Sequence, residues 1–183
     1  MKSSVPLTDL SRFLRRELQL LSLGAALSTR AKQYPVYDRS KSYYQRASAQ
    51  AAVRQQLVMV ERVYGRTVKE IEHIKLIERV AKSLSATHGA DFHGSRFRFG
   101  VAQKLVNVHL KYLWSAGLIP EPPHCPIDGI IRDAAKLAYD WVSSDSIDDY
   151  RLAIAQLRAM AAKSGVSLAA WELSKFGRRR DLL

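Results

Sequence analysis

The sequence predicts an all-α fold, and two observations carry that prediction. Apolar residues recur at three- and four-residue intervals along most of the 183 residues, and no stretch sustains the alternation of a half-buried strand. Glycine, proline and polar residues gather in a few intervals that part the periodic segments. The expectation is a compact helical bundle forming one domain over residues 1–183, with 87–98 as the place where two lobes would divide.

The elements follow in order. Phe13, Leu14, Leu18, Leu21 and Leu27 form a helical stripe that predicts a first helix over about 8–28. Residues 30–41 carry Pro35, a polar run at 38–40, and Tyr34 and Tyr37, so they read as a loop. A second helix is expected over about 42–64, ending near Gly65. Thr67 with Glu70 three residues later has the spacing of a capping box and would open a third helix reaching about Ser85. Residues 87–100 hold three glycines and no periodicity, which predicts a loop. Helices are then expected at about 101–115, 129–142, 147–163 and 168–176, with Ser146 and Ser167 as N-caps of the last two.

Composition narrows the class. The formal net charge is +12, and it is unevenly placed. Residues 115–149 reverse the sign, with two Lys/Arg against seven Asp/Glu. A basic surface of this size fits a polyanion, because each neutralised phosphate releases counterions. The single cysteine, Cys125, excludes an internal disulfide and an iron–sulfur cluster held by four thiolates of this chain. No apolar run approaches the roughly 20 residues that cross a bilayer. Arg12, Arg15, Arg16 and Glu17 interrupt the N-terminal apolar residues, unlike a signal peptide. The expectation is a cytoplasmic monomer without a membrane contact. His88, His93, His109, His124 and Cys125 match no metal-ligand spacing, so neither metal nor cofactor is expected.

The chemistry-bearing segment runs from Gly94 to about 136. Gly100-Val101-Ala102-Gln103-Lys104 opens a helix on which Lys104, Asn107, Lys111 and Trp114 share a face. The Gly94–Gly100 turn and the helix start would offer backbone N–H groups to a phosphate. Three prolines at 122, 123 and 126 then lead to Asp128 at the head of the next helix. As an N-cap, Asp128 would stabilise that helix by about 1 kcal/mol.

This order resembles the helix-hairpin-helix DNA glycosylases, whose hairpin runs Gly-Val-Gly-x-Lys and whose catalytic Asp follows at a helix start. The resemblance implies base flipping and excision from duplex DNA. Asp128 would stabilise the cationic sugar or orient water, and Lys104 would align with the lysine that bifunctional members use as nucleophile. It also implies DNA contacts from Gly94, Arg96, Arg98, Gly100, Lys104, Asn107, Lys111 and Arg132. Three departures stand out: Ala102 replaces the second glycine, Ile130 replaces a histidine, and Pro120–Cys125 lengthen the connecting loop.

A nucleophilic lysine must be neutral, which demands burial or a nearby cation. Nothing in the sequence supplies either, so Lys104 reads as a solvated or phosphate-contacting group and the product as an abasic site. Tyr37, Tyr43 and Tyr44, interleaved with Arg39, Lys41 and Arg46, could stack on a flipped base or fill its gap. Lys175 and Arg178 of the terminal basic run could contact phosphate. The expected substrate is phage or other modified DNA carrying a bulky base such as glucosylated hydroxymethylcytosine. The alternative is a non-catalytic helical DNA- or RNA-binding module of a defence or regulatory assembly.

Overall fold

The computed structural model describes residues 7–28 and 32–175. Among them are seven α-helices, two single-turn 3-10 helices (89–91 and 93–95) and no strand beyond one bridge between Tyr37 and Phe92. The helices are α1 (Leu7–Leu27), α2 (Tyr43–Val63), α3 (Glu70–His88), α4 (Phe99–Ser115), α5 (Gly129–Ala135), α6 (Ile147–Lys163) and α7 (Leu168–Lys175). No described helix is long and apolar enough to cross a membrane.

Helix α4 is the centre. Every residue from Phe99 to Leu110 is buried, around the full circumference of the helix. A helix that is enclosed on all sides needs apolar or internally paired groups on all sides. Helices α1, α2 and α3 pack against one flank. The segment from His124 to Tyr150 closes the other: Gln103, Asn107 and Lys104 all meet residues within it. Gly100 allows the closest approach. A Cβ there would lie 2.0 Å from the Trp141 carbonyl oxygen, so only glycine lets the 139–146 segment cross.

Local sequence sets the helix ends, with differences from expectation. The capping box forms at Ser42 and Gln45, opening α2, rather than at Thr67 and Glu70. Helix α3 begins only at Glu70, which is free to pair with His124 and Arg158 instead. The 129–142 helix stops at Ala135, because Lys136 adopts a left-handed conformation (φ 52°) and turns the chain back. No glycine or proline signals that stop. Within 87–98, the expected division between two lobes, Phe92 and Phe97 are buried and packed on each other. The α1 stripe is only partly inward: Leu27 is buried and Leu18 packs on the core, but Leu14 is exposed. Phe13 is 65% and Leu21 55% exposed, while Ser22, Leu23 and Ala26 face inward.

Candidate active site at the Lys104–Asp128 junction

Lys104 sits on the second turn of α4 and is 7% exposed. Its ammonium lies 4.0 Å from the centre of the Trp141 ring, a cation–π arrangement. Burial pulls the amine below the ordinary lysine range, and the Asp128 charge partly restores it. The solvated lysine expected from the sequence is therefore corrected. Its neighbours come from α4 and from a turn that no periodicity announces.

Asp128 is the N-cap of α5. Its Oδ1 accepts hydrogen bonds from the amides of Ile130 (2.9 Å) and Ile131 (3.1 Å). Its Oδ2 has no hydrogen-bond partner among the described residues, which leaves one carboxylate oxygen for another task.

The carboxylate of Asp128 also acts on Glu172 and Cys125. Glu172, on α7, accepts a 2.9 Å hydrogen bond from the Lys111 ammonium, and both are buried. Burial raises the Glu172 carboxyl, and Lys111 partly offsets the effect. Burial likewise pushes the Cys125 thiol up, so it is an inert packing group rather than a nucleophile. Lys104, Asp128 and Trp141 thus stand beside a closed ion pair.

Several expected DNA contacts are instead structural. Asn107 is fully enclosed and donates to Gln103 and to the Tyr150 hydroxyl. Gln103 in turn donates to the Ile127 carbonyl, and the Tyr150 hydroxyl meets His124. Arg98 is buried and donates to the carbonyls of Val142, His93 and Pro35, which staples three loops together. Lys111 is held by Glu172. Trp114, expected on the Lys104 face, is half-buried against the core. None of Asn107, Arg98 and Lys111 presents its polar end to a phosphate.

The helix start is occupied as well. The Phe99 amide donates to Asp145 Oδ1 at 2.7 Å and the Gly100 amide to the Ser144 carbonyl at 3.0 Å. The phosphate cradle expected between Gly94 and Gly100 is thus filled by the protein's own acidic segment. Gly94 instead supplies a left-handed turn (φ 69°), and Arg96 pairs with Asp145 on the surface. Arg132 pairs with Asp133, with Asp140 3.8 Å away.

The tyrosines separate. Tyr37 stacks on Phe92 and is spent in packing. Tyr43 and Tyr44 stand 81% and 83% exposed at the start of α2 and remain available for stacking. Lys175 is exposed at the end of α7, and Arg178 lies outside the described residues. A cavity of about 920 Å³ lies apart from Lys104, between residues 138–146 and the outer face of α6. Asp140, Asp145 and Asp149 line it, so its charge repels phosphate and it is no substitute for the Lys104 site.

Sequence reasoning missed Trp141 and Glu172. Both were assigned to helices by periodicity alone, and only the turn at Lys136 brings Trp141 back over α4. No family model matches the chain, and no curated protein or solved structure matches it either.

Proposed function

We propose that the chain is a DNA N-glycosylase that excises a modified base. The observation that carries this reading is the burial of Lys104 against the Trp141 ring, within electrostatic range of Asp128 but not ion-paired with it. An amine held out of water suits attack at a sugar carbon better than a solvated one does, because burial favours its neutral form, with the Asp128 charge only partly opposing this.

In this reading, a nucleotide extruded from the duplex presents its C1′ to Lys104. The amine first gives up a proton, and its lone pair then bonds to C1′. The glycosidic electron pair leaves with the base, which takes up a proton. Asp128, through Oδ2, stabilises the positive charge that develops on the sugar. Ring opening then gives a Schiff base at C1′; loss of a C2′ proton to solvent expels the 3′ phosphate, which cleaves the strand, and water hydrolyses the imine to free Lys104. Burial of Lys104 favours this course over the simple abasic product expected from the sequence.

Borohydride trapping tests the reading. The full chain is incubated with duplexes carrying cytosine, hydroxymethylcytosine or its glucosylated form, and released bases are identified by mass spectrometry. A covalent adduct that is lost in Lys104→Gln, and base release that is lost in a folded Asp128→Asn, are the expected results. Base release undiminished in both variants would remove these residues from the chemistry. No release from any duplex, with DNA still bound, would leave a non-catalytic binding module.

A further inference from the structure

The flank of α4 opposite Lys104 carries an arrangement that the excision chemistry does not use. Five residues separate Lys104 from His109, which places them about 140° apart around the helix. His109 is fully buried and bridges Ser22 of α1 (3.0 Å) and Glu61 of α2 (3.0 Å). Ser22 is itself sealed from solvent and donates to the Leu18 carbonyl, so this serine–histidine–glutamate row is a structural tie.

Its outer end is different. Glu61 also accepts from Arg15 at 2.9 Å and from Gln19 at 2.8 Å. Burial alone would raise its carboxyl, but these three donors outweigh it and hold the group ionised. Arg15 is thereby fixed at the floor of a groove of about 540 Å³ between α1 and α2. The polar walls also include Arg12, which pairs with Asp9, together with Arg16, Gln19, Arg54, Gln55 and the Glu61 carboxylate that holds Arg15. Arg16 and Arg54 have no hydrogen-bond or ion-pair partner among the described residues. A second cavity, of about 440 Å³, adjoins the first through Arg12 and Arg15 and adds the hydroxyls of Thr8 and Ser11.

The groove's α1 residues run from Thr8 to Gln19, eleven steps or about 16 Å along the helix. That matches the axial rise of roughly five nucleotides at 3.4 Å per strand. One small anion would leave most of the trough empty. Guanidinium forks suit phosphate oxygens in pairs, and the anchored Arg15 loses little freedom on binding.

We propose that the α1–α2 groove is a phosphodiester-binding site that tracks a nucleic-acid backbone, with Arg16 and Arg54 as its free contacts and Arg15 as its fixed one. It shares with the proposed function only the class of ligand and does not depend on base excision. It also moves the principal backbone contacts away from α4, where the sequence pointed and where the side chains are internally paired.

The test is the salt dependence of duplex binding by the full chain, followed by fluorescence anisotropy. In Arg16→Gln/Arg54→Gln the slope of log affinity against log salt should fall by about two, with affinity reduced about tenfold on every sequence tried. Lys75→Gln/Arg79→Gln removes the same charge from the exposed face of α3 and should leave the slope nearly unchanged. Both pairs lack partners that hold the fold together, and unchanged helical signal and melting would verify this. An equal loss in both double variants would overturn the assignment in favour of diffuse attraction, and an unaltered slope in the first would overturn it outright. Polyglutamate displacing DNA at equal charge concentration would assign the groove to acidic protein segments instead. The excision reading fails separately, through absence of a borohydride adduct at saturating DNA.

Discussion

Helices α1 and α4 use residue types in opposite ways. On α4, Lys104, Asn107, His109 and Lys111 are inside the molecule. On α1, Leu10, Phe13, Leu20 and Leu21 face outward. The difference is one of partners. Each buried polar group on α4 meets a complementary group delivered from far along the chain, such as Glu61, Tyr150 or Glu172. The outward leucines, Leu10, Leu20 and Leu21, meet nothing of comparable size, since α1 turns Ser22, Leu23, Ala26 and Leu27 inward. Burial follows from what the fold brings alongside a residue as well as from its hydropathy.

The comparison can be broken most severely at Gly100. Gly100→Ala drives a methyl group into the Trp141 carbonyl and should cost about 3 kcal/mol or more, because the obstruction is backbone. Thermal melting would measure it. A variant as stable as the parent would mean that the 139–146 segment does not lie against α4.

Next in size is the buried pair. Glu172→Leu leaves the Lys111 ammonium enclosed without its carboxylate and should destabilise by roughly 3–5 kcal/mol. Lys111→Met in the same chain should recover most of that loss in urea unfolding. If the single variant is neutral, the interior of α4 does not depend on pairing.

Acid should act on α4's neighbours. His124 is held down to about 4 by burial, against the support of Glu70, and burial with the adjacent His124 holds His73 well below its ordinary value. The groups facing His124 are His73, the Tyr150 hydroxyl, Glu70 and Arg158. Both imidazoles are neutral when folded and protonate near pH 6.5 when unfolded, so protons favour the unfolded chain. Stability is full above about pH 6.5 and declines towards pH 4, by roughly 3 kcal/mol for His124 alone. Glu70, whose carboxyl is lowered by His124 and Arg158 despite burial, extends the decline further into acid. Urea midpoints recorded from pH 7.5 to 4 would trace the slope, and His124→Gln should flatten it.

The smallest effect belongs to α1. Phe13→Ser or Leu21→Ser should change stability by no more than about 0.5 kcal/mol, since neither side chain is enclosed. A loss of 2 kcal/mol or more would place the α1 stripe in the core after all and collapse the contrast.

Much of the helical order was legible in the sequence. Six of the seven helices lie within a few residues of the expected spans, because three-to-four periodicity and the Ser146 cap are local signals. Asp128 at a helix start was legible for the same reason. The stop at Lys136 was not, since a left-handed lysine has no residue-type signature of the kind glycine supplies. The surroundings of Lys104, Asn107 and Lys111 were hidden for a different cause. A shared helical face is visible in spacing, but the Trp141, Tyr150 and Glu172 that meet it lie 37–61 residues away, and only tertiary structure decides whether a lysine meets water or an indole. The outward turn of Phe13, Leu14 and Leu21 was illegible too, because α1 carries two apolar faces that periodicity alone does not rank.

The start of α4 bears on how the molecule opens. The first amides of a helix ordinarily lack acceptors and exchange their hydrogens quickly. Here the amides of Phe99, Gly100, Val101 and Ala102 are all engaged, the first two by residues 144–145 and the next two by the Arg98 carbonyl. Fraying from this end would require the 139–146 segment to lift away first, and that segment is tied to the middle of the helix by Trp141 against Lys104 and by Tyr139 packing on Tyr150, which meets Asn107. The deuterium uptake of 99–102 should therefore rise together with that of 103–110, in one concerted event, so that the terminus of the helix reports the unfolding of the whole interior.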